Sequence, residues 1–276
     1  MRVKLLTSVR RAEGCYNLSL ARRLSHYAEG HADLDIADEG FDAIHVFAPW
    51  SSQAVSQVQR LSKRKLPVVF TSADGLQSLA TLSTRRRRRL VDLMGRHAAL
   101  IHVGGPQEMA LVEEFAPATK VRLIANPDVT TLQTDERLCT DMLHLYSEAI
   151  ATHDAAIRTA IRERVGRLGE SDPVLCTVCS LLLYDEYLVF RQTIAQADAD
   201  QLSDALLSAQ YDEDRLADCL LQLGIHDFTA SMMHAAATCS TLTEGFMPIP
   251  ARADRQAERI VRLIQPAPSE TTTNNQ

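Results

Sequence analysis

The chain has 276 residues, of which 46% are hydrophobic, enough to bury the core of one large domain or two small ones. No apolar stretch approaches the roughly 20 residues that cross a bilayer, and the N-terminal apolar run is too short for a signal peptide. We therefore expect a cytoplasmic protein with no transmembrane segment.

Short apolar runs alternate with helical patterns over the first 128 residues. The runs predict strands at 3–7, 41–47, 66–71, 98–103 and 120–124. Between them, the apolar spacing predicts helices at 15–27, 51–61, 79–94 and 107–115. Because the strands are continuously apolar, they predict an α/β fold whose parallel, Rossmann-like sheet is flanked by helices on both faces. Ligands of such sheets bind at the carboxyl ends of the strands.

The pattern beyond residue 128 is helical. It predicts a long helix that ends at Gly169, and further helices at 173–195, 199–209, 212–223, 227–239 and 253–264. The last residues lack the apolar content to fold. The expected organisation is a Rossmann-like α/β domain over 1–130, a mostly helical region over 131–264 and a disordered tail over 265–276.

Charge is unevenly distributed between the two halves. Residues 1–130 carry 18 lysines and arginines against 13 acids, and residues 131–276 carry 11 against 22, within a net charge of −6. The one basic cluster is Arg85 to Arg89, which we interpret as a solvated helix face. Contact of this cluster with a phosphate or a membrane remains open, and a nucleic-acid partner is not predicted, since aromatic residues are not interleaved with the arginines.

Cysteine usage favours reduced, buried thiols over a disulfide framework. Six cysteines are spread along the chain, and only Cys176 and Cys179 are close in sequence. This pair lacks a second pair or nearby histidines, so we predict neither a metal site nor a cofactor.

Five passages in the first 128 residues carry motifs in a fixed order. They are residues 11–24, Asp42 to Val46, Pro67 to Thr71, Ala98 to Val103 and Lys120 to Pro127. In order and spacing these passages resemble the N-terminal lobe of GT-B glycosyltransferases, in particular the large retaining family 4. The resemblance implies an acceptor-side lobe in glycan synthesis or modification.

Several polar positions of that lobe differ in this chain. Phe47 stands at the second histidine of the family's H-x-H pair, Ala73 at its strand-end histidine and Gly104 at the serine after the fourth strand. The family's second lobe holds a nucleotide sugar on five strands, but residues 151–276 show no such alternation. Glu244 is followed by Arg252 where the family's second glutamate should stand. We therefore expect an atypical donor site.

Strand ends supply the candidate site residues. His45, Asp74 and Glu13 are the predicted catalytic residues, as a general base or as clamps on the acceptor. Predicted ligand-binding residues are Arg10, Arg11, Gly14, Gly104 and Asn126, the arginines because they can pair bidentately with phosphate. Five of these residues have a structural alternative: His45 as a core histidine, Asp74 and Asn126 as turn residues, and the two arginines as surface groups.

These features predict a glycosyltransferase-like protein whose ligands are a nucleotide sugar or a glycan acceptor. The alternative is a non-catalytic scaffold or partner subunit, a pseudo-glycosyltransferase that contacts another protein through its helical region. A third hypothesis is a small-molecule-binding domain of the flavodoxin-like type.

Overall fold

The structure, a computed structural model, describes residues 1–7, 18–38, 40–125, 135–208 and 210–265. The chain forms two compact units, residues 1–155 and 156–276. The predicted domain organisation stays a prediction, and the predicted disordered tail lies outside the described residues from 266 onward.

The first unit is built on a parallel sheet of six described strands in the order β2-β1-β3-β4-β5-β6. The strands are β1 Arg2–Thr7, β2 Asp35–Ile36, β3 Ala43–Ala48, β4 Val68–Ser72, β5 Leu100–Val103 and β6 Val121–Leu123. All five predicted strands are present, and the predicted α/β fold with a parallel Rossmann-like sheet is confirmed. The short edge strand β2 was not predicted.

Helices cover both faces of this sheet. They are α1 Leu18–Gly30, α2 Ser52–Ser62, α3 Gln77–Ala80, α4 Thr84–His97, α5 Pro106–Glu113 and α6 Asp135–Gly166. On one face, α2, α4 and α5 pack on side chains such as Val46 and Phe70. On the other, α1 and the first half of α6 pack on Phe47, Val69 and Leu100. The strands are apolar on both faces because both faces are buried.

The predicted helix over 79–94 is divided in the structure. Its first part is α3, and α4 begins only at Thr84. Ser83 has an extended backbone with φ −61° and ψ 149° and stands as the N-cap of α4, so the helical hydrogen bonds cannot continue through it.

The described residues of the second unit form helices joined by loops, with no strand among them. After the last turns of α6 it contains α7 Pro173–Arg191, α8 Gln196–Ser208, α9 Glu213–Gln222, α10 His226–Cys239 and α11 Arg255–Ile264. Their apolar faces share one core, which includes Leu182, Leu202, Leu220 and Met233. The predicted helical C-terminal region is confirmed.

Helix α7 is long and largely apolar. By length and composition it could cross a membrane. Half of its apolar stretch is buried in the core of its unit. Core helices of globular proteins meet the same criteria, so this helix is weak evidence for a span.

Candidate functional site

A cleft of about 370 Å³ opens at the carboxyl ends of β4 and β5. One wall is the turn after β4, with Asp74 and Gln77, and the other is the start of α5, from Gly104 to Glu108. Carboxyl ends of parallel strands are where sheets of this kind bind ligands. The cleft therefore lies where the topology favours a site.

Asp74 is held at the mouth of this cleft by hydroxyl groups. Ser72 Oγ and Ser78 Oγ each lie 2.8 Å from Asp74 Oδ1, and each donates to it. Ser78 Oγ in turn accepts the backbone N–H of Trp50 at 2.8 Å. Gly75, with φ +58°, allows the chain to turn sharply after Asp74. The loops after β3 and β4 are thereby joined around one carboxylate.

Glu108 forms the opposite wall and is buried, with only 5% of its surface exposed. Its Oε2 accepts the backbone N–H of Gly104 at 3.1 Å, while Oε1 is buried without a hydrogen-bond partner. Burial raises the pKa of this carboxyl group to about 7, and the Gly104 N–H acts in the opposite direction. Close to neutral pH the group can therefore either donate or accept a proton.

The two carboxyl groups interact across the cleft. The charge of Asp74 contributes to the raised pKa of Glu108, although burial is the larger cause. The indole N–H of Trp50, a residue only 3% exposed, acts weakly against this rise in pKa, although it makes no hydrogen bond of regular geometry. Pairs of carboxyl groups in unequal environments are typical of acid–base sites.

The structure brings two of the predicted site residues to this cleft, Asp74 and Gly104. The Gly104 N–H is bonded to Glu108, so this residue shapes the cleft wall through its backbone. His45 is not among the residues that line the cleft. The remaining predicted residues lie outside the described part of the chain: Arg10, Arg11, Glu13, Gly14 and Asn126.

His45 belongs to a buried chain of hydrogen bonds between the sheet and α6. Its Nδ1 lies 2.8 Å from the hydroxyl of Tyr146, and its Nε2 lies 2.6 Å from Thr71 Oγ1. Thr71 Oγ1 is also 2.9 Å from Nδ1 of His102, whose Nε2 lies 3.0 Å from the carbonyl oxygen of Ile124. The four side chains are fully buried.

The donor and acceptor of each hydrogen bond between Tyr146 and Ile124 can be assigned from the chemistry of the groups. The pKa of both histidines is lowered by burial, to about 4 for His102, so both rings are neutral. The Ile124 carbonyl can only accept, so His102 Nε2 donates and its Nδ1 accepts from Thr71. His45 Nε2 then donates to Thr71, and Tyr146 donates to His45 Nδ1. Both nitrogens of His45 are thus occupied by fixed partners.

The family's other histidine positions are apolar core in this structure. Phe47 and Ala73 are fully buried in the cluster beneath α1 and α6. The ring of Phe47 lies 4.0 Å from that of His45, measured between centroids. Packing has taken the place of polar chemistry at both positions.

Among the described residues, no group of three or more histidines, cysteines or acids is placed to hold a metal ion. The Asp74–Glu108 pair supplies only two carboxyl groups, one of them buried beside an indole. The cleft is therefore suited to hydroxyl and amide groups of a ligand.

Fold and cleft together define a doubly wound α/β lobe with a carboxyl-lined cleft at the ends of its strands. Residues 2–127 match the family described as glycosyl transferase 4-like domain, which confirms the resemblance seen in the sequence. The first unit thus contains a segment similar to a glycosyltransferase domain. No curated protein and no solved structure gives a match to the chain.

Proposed function

We propose that this protein acts in glycan synthesis or modification and binds a hydroxyl group of a glycan acceptor between Asp74 and Glu108. The observation that carries the proposal is the buried Glu108 carboxyl group, whose pKa of about 7 suits proton transfer at neutral pH. The match of residues 2–127 to a glycosyl transferase 4-like domain supports the substrate class.

In the proposed reaction Glu108 takes the proton of the acceptor hydroxyl as its oxygen bonds to the anomeric carbon of the donor sugar. The bond from that carbon to the leaving diphosphate breaks with its electron pair on the phosphate oxygen. Asp74, fixed by two serine hydroxyls, accepts a hydrogen bond from a second sugar hydroxyl and orients the ring. Arg10 and Arg11 remain our candidates for the diphosphate, and Glu13 and His45 remain alternative bases.

The donor site is proposed to be atypical. This proposal is supported by the second unit, whose described residues form helices and contain no strand, whereas the resemblance implies a donor lobe of five strands. A donor would then be held by loops of the first lobe, by the helical unit or by a partner subunit.

Glu108→Gln tests the proposal, and the matched control is Glu114→Gln at the exposed C-cap of the same helix. Calorimetry with UDP-, GDP- and dTDP-sugars first identifies a donor, and transfer to a glycan acceptor is then measured. We expect the Glu108 variant to keep acceptor affinity and to lose transfer by a factor of about 10²–10⁴. Equal transfer rates for the two variants would refute Glu108 as the base. Calorimetry that detects no binding of any nucleotide sugar would refute the proposed transferase activity.

A non-catalytic partner subunit is the second candidate. The burial of Phe47 and Ala73 at the family's histidine positions favours it, because those groups cannot meet a substrate. Its partner, which we propose to be an active transferase, would bind the helical region. Purification from cells as a monomer without any bound protein, measured by light scattering, would count against this candidate.

A further inference from the structure

One face of the first unit is strongly basic although the whole chain has a net charge of −6. Residues 51–97, which include α2 and α4, contain ten lysines and arginines and only two acids, Asp74 and Asp92. The two helices pack side by side. Nine of the ten cations are exposed, at positions 60, 63, 64, 65, 85, 86, 88, 89 and 96.

The five arginines from Arg85 to Arg89 have no partner of opposite charge in the part of the chain that the structure describes. They occupy the start of α4, whose first turn has no acid. Cations at a helix N-terminus are unfavourable because the helix dipole is positive there. Five such residues in sequence reduce the stability of the helix, so their presence points to an anionic partner.

A groove of about 600 Å³ runs between these two helices. Arg86 and Arg89 line it together with Leu82 and Leu93, which are only partly buried. Its one aromatic residue, Trp50, is 3% exposed and packs on Phe70 with 4.9 Å between ring centroids. The groove thus combines accessible cations with apolar side chains and offers no aromatic surface for base stacking.

We propose that the α2–α4 face docks on an anionic lipid bilayer. Exposed arginines bind the phosphate-bearing headgroups, while Leu82 and Leu93 contact the acyl boundary between them. The missing stacking surface argues against single-stranded nucleic acid, which uses aromatic side chains as well as charge. The groove and the Asp74–Glu108 cleft share no lining residue, and the test below measures vesicle binding, so it is independent of the proposed function.

Co-sedimentation of the full chain with vesicles tests this proposal, using phosphatidylcholine alone and phosphatidylcholine mixed with phosphatidylglycerol. The variant Arg86→Gln with Arg89→Gln is compared with Arg255→Gln with Arg259→Gln. The control pair lies exposed on α11 and changes the net charge equally. Circular dichroism and thermal unfolding verify that each variant is folded, and Arg86→Gln and Arg89→Gln made singly provide further variants of the same groove.

We expect the protein to bind only the anionic vesicles and to be released by salt. Removing two arginines from the face should weaken binding roughly 30-fold, from about 1 kcal/mol for each, whereas the α11 pair should leave it unchanged. The proposal is overturned if the unmodified chain ignores anionic vesicles, or if both pairs weaken binding equally. Binding to an oligonucleotide without binding to vesicles would also overturn it.

Discussion

Replacing Glu108 by glutamine should stabilise the protein, and increasingly so as the pH rises. The folded state raises the pKa of Glu108 from its ordinary 4.5 to about 7, because the group is buried. Because the pKa of Glu108 is higher in the folded state, its contribution to the free energy of unfolding is complete below pH 4.5. That contribution is lost as the pH rises through 7. Glutamine has no charge to bury and can still accept the Gly104 N–H.

The size of the effect follows from that shift in pKa. Linkage gives an advantage of glutamine over glutamate of about 1 kcal/mol near pH 5 and about 3 kcal/mol near pH 8. Urea unfolding followed by circular dichroism, at both pH values, measures the two free energies of unfolding. Glu114→Gln removes the same charge at an exposed position and is the control. A constant difference between the Glu108 variant and the parent at both pH values would refute the reasoning.

Two further predictions concern the buried hydrogen-bond chain. Tyr146→Phe leaves Nδ1 of His45 as a buried acceptor without a donor, so the free energy of unfolding should fall by about 1–3 kcal/mol in urea titrations. Tyr211→Phe removes an exposed hydrogen bond from the hydroxyl to the carbonyl of Phe246 and should lower the free energy of unfolding less. Equal losses for the two variants would contradict the proposed bond from Tyr146 to His45. The lowered pKa of His45 and His102 gives stability that is complete above the ordinary value of 6.5 and is lost as the pH falls towards about 4. Thermal unfolding of the Glu108→Gln protein should therefore show a falling midpoint from pH 7 to pH 4, and a flat profile would exclude neutral buried histidines.

The fold was largely predictable because its signals are local. Parallel strands buried on both faces are continuously apolar, so each run of the first 124 residues identified its strand. The edge strand β2 was missed because its two residues, Asp35 and Ile36, are too few to form a pattern. The break at Ser83 was missed because the surrounding spacing remains helical while only the backbone of one residue is extended.

The site was predictable only in part, since its chemistry depends on burial. Asp74 could be found because Asp-Gly after an apolar strand signals a turn at the ligand edge of a sheet. Glu108 looks in sequence like an ordinary acid in the first turn of a helix, where the dipole favours it. Its raised pKa arises from burial by residues that are distant in the chain. The partner of His45, Tyr146, lies 101 residues away, and no local pattern connects them.

Restoring the family's strand-end histidine by Ala73→His should destabilise the protein and should not restore sugar transfer. Ala73 is fully buried and packs in the core with Phe47, Val69 and Leu100. Ala73→His must displace these side chains and bury an imidazole, so we expect a loss of about 1–3 kcal/mol by overpacking and no gain in sugar transfer.

Ala80→His introduces the same ring at an exposed position seven residues later and should leave the free energy of unfolding nearly unchanged. Unfolding in urea and transfer assays with the donor found by calorimetry measure both effects. If Ala73→His instead kept its stability and gained transfer, the lobe would have lost a single group from an otherwise intact site. If the variant loses stability and gains no transfer, the core has repacked around the missing histidine, and the Asp74–Glu108 cleft remains our first candidate for the proton acceptor.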